Sequence, residues 1–199
     1  MANLFSEALP LKLPDSDLIY YPNFFDALSA TEYFKILKEE TPWQQDDITV
    51  FGKKYAQPRL TALYATNDLP YSYSNITMHP HPFSKELLQI KEEVEKVAQT
   101  NFTTCLLNLY RDGKDSNGWH ADNEKELGKN PIIASITLGE ERYFHLKHRT
   151  NKNLKHKLLL EHGSLLLMKG TTQQHWLHQI PKTAKPIQER INLTFRVVY

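Results

Sequence analysis

Beyond Thr100 the sequence breaks into short apolar or alternating segments, 104–110, 131–138, 142–147, 154–160, 164–169 and 190–198, separated by turn residues. Gly113, Gly118, Gly128, Gly139, Gly163 and Gly170 fall between or beside them. Before Thr100 the pattern is helical. Ser29 and Glu32 have capping-box spacing ahead of Tyr33, Phe34 and Leu37, which predicts a helix from near Ser29. Leu87, Ile90, Val94 and Val97 recur at helical spacing and predict a second helix from about Ser84 to Gln99. Pro10, Pro14 and Pro22 interrupt any helix in residues 1–24. Helices followed by a run of short strands predict an α+β, mainly β chain, an antiparallel sandwich or jelly roll. No repeat or linker divides the 199 residues, so one domain is expected, with 1–100 as an N-terminal extension and 101–199 as the core.

Composition narrows the setting. With 40% hydrophobic and 24% charged residues the chain can bury a core and is far from a disordered composition. A formal net charge of +1 does not announce a polyanionic partner, so local charge has to be read. Cys105 stands alone, which excludes an intrachain disulfide and fits a reducing cytosol. No secretory signal and no run of about 18 apolar residues is present, so a cytoplasmic protein without membrane contact is expected.

Three groups of residues carry candidate chemistry. His120 and Asp122 lie two apart, so in an extended segment both point the same way and can reach one ion. His178 is the candidate third ligand, with His175 in competition and His145, His148, His156 and His162 also available. Two histidines and a carboxylate on one side of Fe(II) leave positions open for a cosubstrate and O₂. The second group is the strictly alternating run Arg190-Ile-Asn-Leu-Thr-Phe-Arg196. Arg190, Asn192, Thr194 and Arg196 share one face, and if both faces are covered the guanidinium groups need anionic partners. A small dicarboxylate meets that need through the planar fork of arginine. Asn108 and Tyr110 form the third group, with the same parity on a strand just upstream of the His-x-Asp pair.

Taken in order, these residues resemble the AlkB-like family of nucleic-acid dealkylases over roughly 57–199. The segments that carry the resemblance are Asn-Leu-Tyr-Arg-Asp-Gly at 108–113, Trp-His-Ala-Asp-Asn-Glu at 119–124 and Pro-Ile-Ile-Ala-Ser-Ile-Thr-Leu-Gly at 131–139. Gln-His-Trp-Leu-His-Gln-Ile-Pro-Lys at 174–182 and Arg-x-Asn-x-Thr-x-Arg at 190–196 complete it. Pro-Arg-Leu-Thr at 58–61 and Tyr-x-Tyr-Ser at 71–74 are similar to members related to the human DNA/RNA dealkylases. Ala121 departs from the polar residue that relatives often carry between the ligands.

The resemblance implies a double-stranded β-helix with N-terminal helices on one side and a nucleotide-recognition loop within 1–100. It selects His178 over His175, giving His120, Asp122 and His178 as ligands of Fe(II). It implies 2-oxoglutarate as cosubstrate, with Arg190 on the distal carboxylate and Asn108, Tyr110, Asn192 and Arg196 holding the rest. The activity implied is oxidative removal of a methyl group from a ring nitrogen of a base in DNA or RNA, by a monomer in the cytoplasm, or in the nucleus of a eukaryote. Tyr73 is then the stacking residue for a flipped base, and Tyr71, Glu124 and Arg59 are further substrate contacts. Residues 142–157 carry Arg142, Lys147, Arg149, Lys152, Lys155 and Lys157 and no acid, a candidate phosphate rail; Lys53, Lys54 and Arg59 are a second. Rival readings are a hydroxylase of a protein or small molecule, and a metal-binding nucleic-acid module without catalysis.

Overall fold

The computed structural model describes residues 7–50, 53–68, 71–73 and 76–199. The N-terminal part supplies β1 (Leu9–Leu11), β2 (Asp17–Tyr21), α1 (Ala27–Glu40), β3 (Asp47–Val50), β4 (Lys53–Ala56), β5 (Leu60–Ala65), β6 (Tyr71–Tyr73), β7 (Ile76–Met78), β8 (His81–Pro82) and α2 (Lys85–Ala98). There follow β9 (Thr104–Tyr110), β10 (Asn117–His120), a 3-10 turn at Lys125–Leu127, β11 (Ile133–Gly139), β12 (Arg142–His148), β13 (Lys155–Leu160) and β14 (Leu165–Lys169). A helical turn α3 (Thr172–His175), β15 (Trp176–Ile180) and β16 (Arg190–Arg196) complete the order.

Eight strands form one sheet in the order β1-β2-β14-β11-β16-β9-β5-β8, and four form a second in the order β10-β15-β12-β13. The chain is therefore mainly β, as expected, and the two sheets face each other as a jelly roll. Ile133, Leu166 and Met168 of the large sheet bury against Phe144, Leu146, Trp176 and Ile180 of the small one. On the other face of the large sheet, Leu107, Ile136, Leu193 and Phe195 bury against Leu37 of α1 and Leu87, Ile90 and Val94 of α2. Covered on both sides, β9 and β16 are buried at every position. That is why their polar face is a site and not a solvated surface.

The first hundred residues supply β1, β2, β5 and β8 to this large sheet. Residues 1–24 gave no strand signal, yet β2 pairs with β14 and β1 with β2. Pro10 is tolerated because β1 is the sheet's edge. β10 and β15 were also absent from the expected strands. The cap of α1 differs as well: Asp26, not Ser29, is the N-cap, and its Oδ1 accepts the Leu28 and Ser29 N–H groups at 3.0 Å each. Ser29 sits three residues in and donates its hydroxyl to Asp26 Oδ2 at 2.9 Å. The same three-residue spacing is used, shifted one frame upstream, and the Asp26 carboxylate adds a negative charge where the helix dipole favours one.

Among the described residues no helix is long and apolar enough to cross a membrane. For α2 the expected start holds: Ser84 Oγ accepts the Leu87 N–H at 3.2 Å. Ser84→Ala should therefore destabilise the protein by about 1 kcal/mol, read as a lower urea midpoint with an unchanged slope.

Candidate metal and cosubstrate site

His120 and His178 are direct cross-strand partners on β10 and β15, and so share the inward face of the small sheet. Asp122 follows two residues after His120, where the chain leaves the strand. The ligand atoms of His120, Asp122 and His178 all lie within 4.8 Å of one another. Asp122 and His178 are buried, while His120 is partly exposed and opens the group toward the cavity. The His120 Nδ1 donates to the Gly118 carbonyl at 2.7 Å, which leaves a lone pair on Nε2, where it accepts from Asn117 Nδ2 at 3.2 Å. This is the tautomer a metal needs. Phe144 stacks on the His178 ring at 5.0 Å and holds its orientation. His175, the competing third ligand, points elsewhere, toward His148 and Asp15.

A buried carboxylate beside two imidazoles has to be kept ionised. Burial opposes the charge on Asp122, but Arg196, whose Nη2 donates to Oδ1 at 2.7 Å, outweighs it with help from His178 and His120 and holds the carboxyl down to about 2. For His178, burial and the neighbouring His120 push the imidazole down to about 3 against the pull of Asp122. Both groups are thus in their ligating forms at neutral pH.

Arg190 lies on the same face of β16 and is 1% exposed. Its Nη2 donates to Thr137 Oγ1 at 2.8 Å, and the guanidinium lies over the Tyr110 ring at 5.2 Å. Nε and Nη1 are buried with no hydrogen-bond partner. Burial, with Arg142 nearby, lowers the Arg190 pKa to about 10 despite Tyr110, and the group stays cationic at neutral pH. Leaving two donors of a buried cation unmade is costly, so the arrangement is complete only with an anion. Arg190 lines a cavity of about 220 Å³ that is also lined by His120, Asp122 and His178. Tyr110 and Asn108 line it from β9. Asn192, in contrast, commits its amide hydrogens to Ser135 Oγ and the Ile136 carbonyl, and its oxygen accepts from Thr194. It braces the floor rather than offering a free donor. Arg196 likewise faces Asp122, although it too lines the cavity.

The expected substrate residues separate. Glu124 lines the cavity, and its buried Oε2 has no hydrogen-bond partner. Tyr71 and Tyr73 belong to β6, paired with β7, but their side chains lie outside the described residues. Arg59 is no surface cation: it is 6% exposed, with Nε on Asn108 Oδ1 at 2.7 Å and Nη1 on the Ser116 carbonyl at 3.2 Å. It cannot join Lys53 and Lys54 in a phosphate rail. Arg142 leaves the other rail for the same reason, because it is buried and donates to the carbonyls of Asp115 and Pro181.

Gln173 escaped the sequence reading. It is 1% exposed, its Oε1 accepts the Asp122 N–H at 3.0 Å, and its Nε2 donates to Met168 Sδ at 3.5 Å. It ties the Asp122 turn to the segment that leads into His178. The one sequence signal is its place five residues before that histidine. A second His/Asp cluster, Asp15, His148 and His175, also meets metal-ligand spacing. Its chemistry differs. His148 Nδ1 accepts the Asn151 N–H at 3.1 Å, which puts the proton on Nε2, facing Asp15 Oδ2 at 3.3 Å. A protonated Nε2 has no lone pair to offer an ion, and here it stays without a hydrogen-bond partner although Asp15 is close.

Jelly-roll sheets, an inward His-Asp-His group and an unsatisfied buried arginine in one cavity define the class. The family model described as the 2OG-Fe(II) oxygenase superfamily matches residues 17–196, and the chain belongs to this superfamily, in its AlkB-like branch. It is 42% identical over 192 residues to the alpha-ketoglutarate-dependent dioxygenase alkB homolog 3 of Bos taurus, covering 89% of this chain and 65% of that protein. The Homo sapiens counterpart is 40% identical over 198 residues, with 92% and 67% covered. The DNA oxidative demethylase ALKBH2 of Arabidopsis thaliana is 36% identical over 209 residues, with 92% and 67% covered. The chain thus spans 65% to 67% of the length of these relatives. The solved structure of OsALKBH1 superposes with a TM-score of 0.67 at 17% identity, over 96% of this chain and 100% of that one, a likeness of fold.

Gln173→Leu leaves the Asp122 N–H unpaired and the turn loose. Fe(II) affinity should fall about 10- to 100-fold, as for other residues that orient ligands, in a metal titration followed by quenching. The metal-free protein should also lose stability with acid. His178 binds a proton more readily unfolded, near 6.5, than folded, near 3, so its contribution is complete above about pH 6.5 and is lost as pH falls toward 3. Asp122 adds its share only below about pH 4. Thermal melts between pH 7 and pH 4 should fall in midpoint, and His178→Gln should flatten that fall.

Proposed function

We propose that this chain is an Fe(II)- and 2-oxoglutarate-dependent dioxygenase that removes alkyl groups from the ring nitrogens of bases in DNA or RNA. The observation that carries this is the pairing, in one cavity, of an inward His-Asp-His group with a buried arginine that has two unmade donors. The names of the relatives, dioxygenases and DNA oxidative demethylases at 36% to 42% identity, support the substrate class.

His120, Asp122 and His178 hold the metal. Arg190 receives the distal carboxylate of 2-oxoglutarate, with Tyr110 alongside, and Asn108, held by Arg59, faces the same space. Asn192 and Arg196 act behind these, one by fixing the floor and the other by keeping Asp122 ionised. When bound, Fe(II) and 2-oxoglutarate supply O₂ activation, so that an N-alkyl carbon gains a hydroxyl while the cosubstrate becomes succinate and CO₂. The N-hydroxymethyl product then breaks its C–N bond, leaving N–H and formaldehyde. The protein's own part is placement and exclusion of water. Glu124 offers its unpartnered Oε2 to an exocyclic amine of the base, and Tyr73, with Tyr71, lies on the recognition strand that precedes α2. The acting unit is proposed to be a monomer, working wherever nucleic acid is held in the cytoplasm or nucleus.

Incubating methylated oligonucleotides with the protein, Fe(II), 2-oxoglutarate and ascorbate should give mass loss of one CH₂ per lesion. Turnover of 2-oxoglutarate without base repair would favour a protein or small-molecule substrate, and no turnover at all a non-catalytic module. Arg190→Ala should raise the KM for 2-oxoglutarate at least about tenfold, the loss of one charge-assisted pair, and Arg190→Lys should restore only part because it lacks the two-point fork. An unchanged KM in Arg190→Ala would remove Arg190 from the cosubstrate site.

A further inference from the structure

The small sheet has an outer face as well as the inner one that holds His178. Registered partners share a face: His145 lies opposite Lys157 and Gln179, and Lys147 opposite Lys155 and Leu177. Together with Trp119, Tyr143 and Leu159 these are the outward positions of the four strands, and none is acidic. Lys155 and Lys157 are exposed, and so are Trp119 at 40% and Tyr143 at 53%. Lys147 Nζ lies over the Trp119 ring at 4.2 Å.

Two lysines directly opposite each other, with a third one pair along, repel one another. Among the described residues none of Lys147, Lys155 and Lys157 forms an ion pair that would offset this. Burial and Lys157 push His145 on the same face below its ordinary value, as a positive field would. The face is cationic and aromatic, and it is adjacent to the site. β10 is the edge strand of the sheet, and its consecutive residues Trp119 and His120 face outward and into the cavity. A chain leaving the cavity over this edge meets Trp119 first. Lys147, Lys155 and Lys157 follow within three strand spacings, about 14 Å.

We propose that Trp119, Lys147, Lys155 and Lys157 form a track for the single-stranded nucleic acid that flanks the base in the cavity, a reading that rests on the proposed function. The lysines take successive phosphates. The Trp119 indole holds Lys147 in place and offers its open surface to the first flanking base. A single strand fits because only unpaired bases expose faces to stack on an aromatic ring.

The test compares Lys155→Glu/Lys157→Glu with the parent protein on a methylated trinucleotide and on an oligonucleotide of about 15 nucleotides, a length that exceeds such a track. Binding of an unmodified oligothymidylate of the longer length is measured against salt. The variant should keep kcat/KM on the trinucleotide within about twofold and lose at least about tenfold on the longer substrate. Its slope of log affinity against log salt should be shallower by about 1.4, for two lost contacts at about 0.7 each. Trp119→Ala should weaken oligothymidylate binding about 5- to 150-fold, the loss of one stacked base. An unchanged salt slope and length dependence overturns the track. Equal loss on both substrates also overturns it, because the lysines would then support the site itself. A parent protein that repairs neither substrate but binds oligothymidylate with the expected slope, lost in the variant, keeps the track and removes the demethylase reading.

Discussion

The contact between Arg196 and Asp122 fixes the remainder of the site. Both groups lie between two sheets, where an unpaired charge costs several kcal/mol and a paired one is tolerated only with good geometry. The Nη2–Oδ1 distance of 2.7 Å supplies that geometry. Because Arg196 belongs to the central strand of the large sheet and Asp122 follows the edge strand of the small one, their pairing sets how the two sheets meet at this end. It also decides the protonation state of a ligand carboxylate before any metal arrives. Gln173 and His178 then close on the same turn from the other side.

Arg190 shows the opposite outcome on the same strand face. Arg196 finds its anion within the protein, whereas Arg190 has a hydroxyl from Thr137, an aromatic ring from Tyr110 and two donors unmade. A fold does not retain a desolvated, half-satisfied cation for stability, since an apolar residue of similar volume would do as well or better. The difference between the two arginines separates structure from binding, and it could not be seen in the alternation that first brought them together.

Two His/Asp clusters in this chain have metal-ligand spacing, and hydrogen bonding tells them apart. His120 donates from Nδ1 to a carbonyl and keeps a lone pair on Nε2. His148 accepts backbone N–H at Nδ1 and must carry its proton on Nε2. Distance alone ranks them equally; the partner of the other ring nitrogen decides which can ligate.

Local sequence was enough for β9, β11, β12, β13, β14 and β16, for the start of α2 at Ser84, and for the parity that puts Arg190, Asn192, Thr194 and Arg196 on one face, because periodicity and caps act over a few residues. The ordered motifs were enough to name the candidate ligands and the cosubstrate arginine. β1 was hidden by Pro10, since an edge strand is stabilised by the neighbour it pairs with and not by its own pattern, and β2 takes its place by pairing with both β1 and β14. Only the tertiary structure could show that Arg59 and Arg142 are buried braces, that Asn192 is a scaffold and that Gln173 holds Asp122. A side chain's role depends on which distant groups desolvate it and which accept its hydrogen bonds, and those groups, as far as 51 residues away for Gln173 and Asp122, are brought together only by sheet pairing.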